Sequence, residues 1–214
     1  MRLTDTARAL LAPPFCWSCG AGAPPHEPLC GSCKRRLRWR DRQPVELAGV
    51  QVWAPLAYDG PARAIVRALK FRGAVGVAGP MSAQMAASAP PGLVDGSMAL
   101  VPVPLHPRRA RARGFNQAER LATALGRRTG MRVDDGLRRR GPAGERQVGR
   151  GRSERLAGIA GAVELRPGIR PPARALLVDD VVTTGATLAA CAAALRAGGA
   201  TDVRAIAYAL TPGR

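Results

Sequence analysis

The chain has 214 residues, of which 46% are apolar and 22% are charged, and this balance is typical of a folded globular protein. The length suits one sizeable core with at most a small extra module, which excludes a multidomain machine. No apolar run approaches the roughly 20 residues that a membrane span needs, and two arginines interrupt the start of the chain, where a signal peptide would be apolar. These features predict a soluble, cytoplasmic protein without membrane insertion.

The charge is strongly positive, because 33 basic residues stand against 15 acidic ones for a formal net charge of +18. Only Lys34 and Lys70 are lysines, so nearly all of the basic residues are arginines. This excess predicts a polyanionic partner, such as nucleic acid or a phosphorylated small molecule. Heavy use of Arg, Ala, Gly and Pro also follows from codon bias in a GC-rich genome, so the charge alone leaves both explanations open.

Four of the five cysteines form two CxxC pairs with ten residues between them, at Cys16, Cys19, Cys30 and Cys33. Each CxxC turn presents two sulfur ligands to one ion, so the spacing predicts a zinc site, and four cysteine ligands make it structural. Disulfides would use the same residues, but a reducing compartment disfavours them. The residues expected to cover the site are Phe15, Trp17, Leu29 and Trp39.

The composition changes beyond this module. Lys34 to Arg42 is a charge run that predicts a linker, so we expect a zinc-binding module and linker in residues 1–42 and a second domain in residues 43–214. From Val50 onward, short β-like runs alternate with Ala-rich helical runs, which indicates a parallel α/β sheet. The predicted strands include residues 98–105, 175–178 and 203–210.

Two helix starts precede apolar stripes. Asp59 before Pro61 predicts one N-cap, and Asn116 with Glu119 three residues later forms a capping box. Cys191 follows the apolar spacing of a third helix and is predicted to be a buried thiol. The first two stripes are Ile65, Val66 and Leu69, and then Ala118, Leu121, Ala122 and Leu125.

A strand, an acidic pair, a Thr/Gly turn and a helix follow one another in the run LLVDDVVTTGAT from Leu176. A turn between a parallel strand and a helix N-terminus directs unpaired N–H groups and the positive end of the helix dipole at one point, which binds phosphate. Thr183, Thr184 and Thr187 add hydroxyl groups, and Gly185 permits a tight turn. Asp179 and Asp180 would repel that phosphate, so we expect them to hold sugar hydroxyls, directly or through Mg²⁺.

This run resembles the phosphoribosyl pyrophosphate (PRPP) signature of the type I phosphoribosyltransferases. Together with VPVPL at residues 101–105, LKFRG from Leu69, RGFNQAERLA from Arg113 and the four-cysteine module, it resembles the ComF family, also described as competence protein F or GntX-like proteins. The resemblance covers nearly the whole chain. It implies an α/β fold, a type I phosphoribosyltransferase-like parallel sheet flanked by helices, with a small N-terminal zinc module.

The resemblance also implies site residues and partners. It places Asp179, Asp180 and Arg113 in catalysis, and PRPP with Mg²⁺ at the site. His106 is either a phosphate ligand or a turn residue, and Asn116 either contacts ligand or only caps its helix. Single-stranded DNA and competence-machinery proteins are the further partners implied. The PRPP-binding residues implied are Pro102, Val103, Pro104, Val178, Asp179, Asp180, Thr183, Thr184, Gly185, Ala186 and Thr187.

The interval from Arg138 to Arg155 contains seven arginines and four glycines, too few apolar residues to pack a core. Composition allows either a mobile lid or a solvated insertion. The resemblance favours a lid, because Gln147 and Arg155 match a Gln and an Arg eight residues apart in the family pattern. The chain departs from that pattern at Gly158, Ile159 and Val163, where the family usually has Asn, Val and Phe.

Three functions follow from these features. The first is a phosphoribosyltransferase, of the glycosyltransferase class, that transfers phosphoribosyl to an unidentified acceptor in a ComF-like role in DNA uptake or the use of external DNA. The second is a non-catalytic, nucleic-acid-binding competence factor, supported by 15 arginines against 5 acidic residues between positions 101 and 155. The third is a PRPP sensor. Substitutions at Asp179, Asp180, Gly185 and Thr187 are expected to weaken PRPP binding without changing the melting temperature.

Overall fold

The computed structural model describes residues 14–139 and 163–212. The strands of this part are β1 (Val45–Leu47), β2 (Val50–Trp53), β3 (Leu56–Ala57), β4 (Ala99–Pro102), β5 (Leu137–Arg139), β6 (Val163–Leu165), β7 (Arg174–Val182) and β8 (Asp202–Leu210). The helices are α1 (Gly31–Arg35), α2 (Gly60–Phe71), α3 (Ala78–Ser88), α4 (Pro107–Arg113), α5 (Gln117–Thr129) and α6 (Ala186–Ala197). No helix in these ranges is long and apolar enough to cross a membrane.

Six strands form one sheet in the order β1-β2-β8-β7-β4, and β3 also pairs with β8. The strands β2, β3 and β7 run parallel to β8, and β4 runs parallel to β7, while β1 pairs antiparallel with β2. A separate antiparallel pair consists of β5 and β6. The architecture confirms the predicted α/β fold class, with a mostly parallel sheet flanked by helices.

Alternate residues of β7 enter two different cores, as the two-residue period of a strand requires. Leu176 and Val178 lie in one apolar cluster with residues of α2, α3 and α5. Ala175 and Leu177 lie in a second cluster, which contains Cys191 and other residues of α6. Cys191 is fully buried, as predicted. Helices therefore cover both faces of the sheet, and its strand ends are left to form a site.

The two predicted N-caps differ in how they are used. Asn116 caps α5, because its side-chain oxygen accepts a hydrogen bond from the Ala118 amide at 3.1 Å, and its Nδ2 donates to the Val103 carbonyl at 3.1 Å. Asp59 precedes α2 but makes no capping bond. Its carboxylate instead accepts a charged hydrogen bond from Arg38 at 2.9 Å, which is stronger than a bond to a neutral amide.

The four-cysteine module packs against the sheet domain. Leu29 is buried in the same apolar cluster as Leu56 of β3. The segment predicted as a linker is hydrogen-bonded to the strands, since the Arg40 amide donates to the Pro55 carbonyl at 2.8 Å. Residues 34–42 are therefore anchored, and the division into two domains at residue 42 remains a prediction.

The predicted aromatic cover of the cysteines is only partly correct. Leu29 is 1% exposed, but Phe15 and Trp39 are 46% and 54% exposed. Phe15 instead packs against Trp17, with ring centroids 4.6 Å apart. The apolar side of the module faces the core of the sheet domain, so the outer aromatics remain in contact with solvent.

Candidate functional site

The acidic pair lies near the end of β7, and the Thr/Gly loop connects β7 to α6 at the carboxyl edge of the parallel sheet. β7 continues through the acidic pair to Val182, whereas the sequence predicted that it ends at Val178. The reason is its long partner β8, whose register pairs Asp179 with Ala207 and Val182 with Leu210. In open α/β sheets, ligands bind at this carboxyl edge.

The loop from Thr183 to Thr187 leads into α6 through a tight turn. Gly185 has a φ of 76°, and a Cβ at this position would lie 2.9 Å from the Cβ of Leu47. Both the left-handed backbone and the close approach of β1 therefore require glycine. The hydroxyls of Thr183 and Thr184 lie on exposed residues, and the loop lines a cavity of about 50 Å³. This arrangement presents a helix N-terminus and hydroxyl groups to one small space.

The acidic pair is held by a lysine that is distant in sequence. The Asp180 carboxylate is buried and forms an ion pair with Lys70, whose Nζ lies 3.0 Å from Oδ1. The other oxygen, Oδ2, is buried and has no hydrogen-bond partner among the described residues. Asp179 accepts a hydrogen bond from the Asp180 amide at 2.8 Å. Asp180 therefore has a structural role that the sequence did not reveal, together with one oxygen that has no hydrogen-bond partner among the described residues.

Burial raises the pKa of Asp179 well above its usual value, and the charge of Asp180 raises it further, although Lys70 partly opposes both. Because the folded protein then holds the Asp179 proton more tightly than the unfolded chain does, stability is lost as the pH rises from about 4 through the folded pKa.

We expect Asp179→Asn to remove this pH-dependent loss of stability, because an amide does not titrate. In thermal melts, the melting temperature of the variant relative to the wild type should rise between pH 4 and pH 7. A constant difference in melting temperature across this range would contradict the expectation.

A larger cavity of about 490 Å³ opens beside the acidic pair. It shares Asp179, Val181 and Thr187 with the small cavity, so the two spaces are adjacent at the end of β7. Five cationic side chains face two carboxylates in its lining, which makes it complementary to a polyanion. The cations are Lys70, Arg108, Arg109, Arg113 and Arg139, and the carboxylates are Asp179 and Asp180.

The VPVPL segment forms the opposite wall of this cavity. Pro102 and Val178 are buried between neighbouring strands, so their side chains serve the core. The Val103 amide donates to the Val178 carbonyl at 3.0 Å, which fixes the segment against β7. Val103 and Pro104 line the cavity directly. Pro102 and Val178, which were also predicted to bind ligand, are in the lining of neither cavity.

The short helix α4 carries arginines over the mouth of the cavity. His106 caps this helix, because its Nδ1 accepts a hydrogen bond from the Arg108 amide at 3.2 Å, which agrees with a turn residue. The Arg113 guanidinium stacks 4.9 Å from the centre of the Phe71 ring. Burial lowers the pKa of Arg113, and the nearby charge of Asp180 partly restores it. Arg113 thus lies between the rim and the acidic pair.

Among the lining residues without a role assigned from the sequence, Lys70, Gln117 and Arg139 have informative contacts or burial. Lys70 is the partner of Asp180. Gln117 is 3% exposed, and its Nε2 has no hydrogen-bond acceptor within the described part of the chain. Arg139 donates to the Pro104 carbonyl at 3.3 Å and to the Thr187 hydroxyl at 3.4 Å, so it connects the two walls. Lys70 lies in the LKFRG motif and Gln117 in the RGFNQAERLA motif. Only the structure shows that both side chains are largely buried in the lining of the cavity.

The predicted lid residues Gln147 and Arg155 lie outside the described residues, as do Gly158 and Ile159. Val163 is the first residue of β6 and is buried at 7% exposure. A Val side chain therefore packs in the core at a position where the family pattern usually has Phe.

The four cysteines come together as predicted. The sulfurs of Cys16, Cys19, Cys30 and Cys33 all lie within 4.8 Å of one another. The distance between the Cys19 and Cys30 sulfurs is 3.7 Å. A hydrogen bond with Ser32 lowers the pKa of the Cys30 thiol to about 6. The cluster matches the ligand set of a metal centre.

Comparison with known proteins gives two curated relatives, both named competence protein ComFC. The protein of Streptococcus pneumoniae is 38% identical over 104 residues, which cover 49% of this chain and 44% of the relative. The protein of Bacillus subtilis is 28% identical over 171 residues, which cover 75% of this chain and 67% of the relative. The first alignment thus spans less than half the length of its relative. No protein-family model matches the chain.

Two solved structures align with part of this chain. Glutamine PRPP amidotransferase from B. subtilis, complexed with ADP and GMP, aligns with a TM-score of 0.39 and 21% identity, covering 60% of this chain and 26% of that chain. A structure of the allosteric regulatory enzyme of purine biosynthesis aligns with a TM-score of 0.38 and 18% identity, covering 79% and 28%.

The curated relatives agree with the motifs from which the family resemblance was drawn. The four-cysteine cluster lies together as the spacing of those motifs predicted. The two relatives therefore support the assignment of this chain to the ComF family.

Proposed function

We propose that this chain binds PRPP with Mg²⁺ at the carboxyl end of β7 and transfers its phosphoribosyl group to an acceptor, in a competence-related role in DNA uptake or the use of external DNA. The observation that carries the proposal is the pair of adjacent cavities at this edge. One is a small space at a helix N-terminus, and the other is a larger cationic space, with Asp179 between them. PRPP has a matching form, since a ribose separates a monophosphate from a diphosphate.

In this proposal, the loop from Thr183 to Thr187 binds the 5-phosphate through backbone N–H groups and hydroxyls. Asp180 Oδ2 accepts a hydrogen bond from a ribose hydroxyl, which would give that buried oxygen the partner it lacks among the described residues. Arg113 and the wall at Val103 face the diphosphate. Each end of the ligand thus meets the charge that complements it.

The transfer breaks the bond between ribose C1 and the diphosphate oxygen, and the electron pair leaves with the diphosphate. The acceptor then forms the new bond to C1 with its own lone pair. Positive charge develops on the sugar, as in glycoside cleavage, and negative charge develops on the leaving group. Arg113, Asp179 and Asp180 all line the large cavity. In this proposal the two aspartates face the sugar and Arg113 faces the diphosphate, so that each developing charge meets a complementary group.

Mg²⁺ fits this site in a limited way. Its preferred ligands are oxygens, several of them from water and substrate phosphates, and Asp180 Oδ2 is a buried carboxylate oxygen without a partner in the described ranges. Asp180 Oδ1 already faces Lys70. When bound, the ion would neutralise charge on the leaving diphosphate. Asp180 would orient the ion from one side, and most of its other ligands would be water and the diphosphate.

The binding test compares two Thr→Ala variants by calorimetry with PRPP and Mg²⁺. Thr187 lines both cavities, whereas Thr201 lies outside both and donates to the Ala173 carbonyl beside the start of β7. We expect Thr187→Ala to weaken binding by roughly 2- to 150-fold, the range for loss of one hydrogen bond to a neutral or charged partner. Thr201→Ala should bind as the wild type does. Equal affinities in the two variants would argue against this site.

Pyrophosphate release separates the enzyme from a PRPP sensor on the same site. Incubation with PRPP and a panel of nucleobases and amines should release pyrophosphate only in the presence of the true acceptor. Binding with no release across the panel would instead favour the sensor.

We also propose that the cysteine centre holds one structural zinc ion. Zn–S bonds of about 2.3 Å in a tetrahedron place neighbouring sulfurs about 3.8 Å apart. The observed distance of 3.7 Å between Cys19 and Cys30 fits this value. Four cysteines leave no open position for water, so the ion would stabilise the fold and take no part in catalysis.

Cys30→Ser should reduce the zinc content from about one ion per chain to nearly none, because it removes one of four ligands. The melting temperature should also fall, since Cys30 belongs to the apolar cluster that extends into the sheet domain. Cys191→Ala is the control, as this buried thiol lies outside the cluster of four. Elemental analysis under reducing conditions checks the ratio, and metal-free wild-type protein would refute the zinc site.

A second candidate function, binding of single-stranded DNA, is favoured by a groove beside α2. A cavity of about 440 Å³ is lined by Trp17 together with Arg63, Arg67 and Arg72. Aromatic rings that stack on bases, combined with cations that contact phosphates, are the usual components of such sites. The groove lies outside the lining of the proposed PRPP site, so both functions can coexist.

DNA binding through this groove should be independent of sequence and should weaken steeply with salt, because phosphate contacts release counterions. Replacing Arg63 and Arg67 by Ala should lower the affinity for an oligonucleotide and reduce the slope against log salt by about 1.4, at roughly 0.7 per contact. The control replaces Arg127 and Arg128, an exposed pair on α5, with the same change of charge. A flat salt response, or equal losses in both variants, would remove this candidate.

A further inference from the structure

Lysine is rare in this chain, and both lysines form ion pairs. Only Lys34 and Lys70 interrupt a set of basic residues that is otherwise arginine. Lys34 pairs with Glu27 beside the cysteine cluster, and Lys70 pairs with Asp180 in the large cavity. The acidic pair is therefore next to an ammonium group and not a guanidinium group. An ammonium is compact, whereas a guanidinium is planar and has a different donor geometry.

Lys70 lies in the larger of the two adjacent cavities. It lines the large cavity, together with Val103 to Leu105 and Arg113. Among the described residues, those that line the small cavity at the Thr/Gly loop do not include Lys70. Its side chain is only 20% exposed, in the last turn of α2. Lys70 therefore belongs to the large cavity, in which the proposed function places the diphosphate.

The ion pair leaves groups on both partners for a ligand. An ammonium has three N–H donors, and the contact with Asp180 Oδ1 uses one of them. Within the described residues, Asp180 Oδ2 is buried without a partner, as is Nε2 of Gln117 in the lining of the same cavity. A buried acceptor and a buried donor without partners indicate that a polar ligand completes this part of the cavity.

We propose that Lys70 is a ligand-binding residue that recognises the diphosphate, in addition to positioning Asp180. Its ammonium holds Oδ1, so that Oδ2 is directed to a sugar hydroxyl, and its remaining donors bind oxygens of the diphosphate. This proposal rests on the proposed function. It adds the residue by which the site distinguishes PRPP, which carries a diphosphate, from ribose 5-phosphate, which does not.

The test uses an Asp180→Asn background, because Lys70→Met alone would leave a buried carboxylate without its cation. Calorimetry with inorganic pyrophosphate and Mg²⁺ compares Asp180→Asn with the double variant Lys70→Met/Asp180→Asn. We expect pyrophosphate to bind the double variant at least 10-fold more weakly, while ribose 5-phosphate changes by less than about threefold, because a charged hydrogen bond is lost only at the diphosphate. Arg127→Met in the same background, remote from the cavity, should change neither affinity.

Equal pyrophosphate affinity in Asp180→Asn and in the double variant would overturn the role of Lys70, and so would equal losses for both probes, which indicate a purely structural lysine. If pyrophosphate binds neither wild type nor Asp180→Asn while PRPP still binds the wild type, the Lys70 proposal fails and the proposed function stands. If PRPP also fails to bind the wild type, both fail together.

Discussion

Gly185→Val is expected to lower the melting temperature of the ligand-free protein by roughly 5 to 15 °C and to abolish PRPP binding. The left-handed backbone at φ 76° opposes a β-branched side chain, and a Cβ would lie 2.9 Å from that of Leu47. Such strain and overpacking each cost about 1 to 3 kcal/mol, which sets the size of the shift for a chain of this length. Binding is lost because the displaced loop no longer directs its N–H groups at one point.

The control for this variant is Gly130→Val. Gly130 has a φ of 74°, close to that of Gly185, and it ends α5 away from the cavity. A Cβ at Gly130 would meet no atom of the described residues within 4 Å, so the variant reproduces the backbone strain without the collision. We expect a smaller loss of melting temperature and unchanged PRPP affinity. If the two variants melt alike and both bind PRPP, the contact between the loop and β1 has no importance for the site.

Asp180→Asn is expected to destabilise the protein by about 3 kcal/mol and to weaken PRPP binding by at least 10-fold. The substitution leaves the largely buried Lys70 ammonium without its counter-charge, and removal of one partner from a buried pair has about this cost. It also removes the charged acceptor proposed for a ribose hydroxyl. Chemical denaturation and calorimetry measure the two effects separately.

Asp135→Asn provides the matched comparison. Asp135 pairs with Arg166 at 2.8 Å, but both side chains are about half exposed. Exposed pairs contribute at most about 1 kcal/mol, so this variant should remain close to wild type in stability and affinity. A similar loss of stability in both variants would show that the Lys70–Asp180 pair stabilises the protein no more than an exposed ion pair does. The structural role assigned to Asp180 would then be wrong.

Local patterns predicted much of this molecule because their causes are local. The spacing of Cys16, Cys19, Cys30 and Cys33 specifies two turns, and the structure brings all four sulfurs together. The run from Leu176 specifies a strand, a loop and a helix in that order, whatever surrounds them. The alternation of strands and helices was sufficient for the parallel α/β class.

The features that the sequence did not reveal depend on contacts between distant segments. Asp180 was expected to act only on ligand, but Lys70 approaches it from α2, and the substitution is now expected to change stability. Gly185 was likewise assigned to binding alone, because the approach of Leu47 depends on how β1 folds back. The end of β7 was misplaced because its pairing with β8 determines where the strand stops.

The most direct measurement of the central claim is a crystal structure of the wild-type protein with PRPP and Mg²⁺. The account predicts the 5-phosphate in the loop from Thr183 to Thr187, the ribose at Asp179 and Asp180, and the diphosphate in the large cavity near Arg113. PRPP bound in the groove at Trp17, or in the reverse orientation with its diphosphate in the loop, would contradict the account.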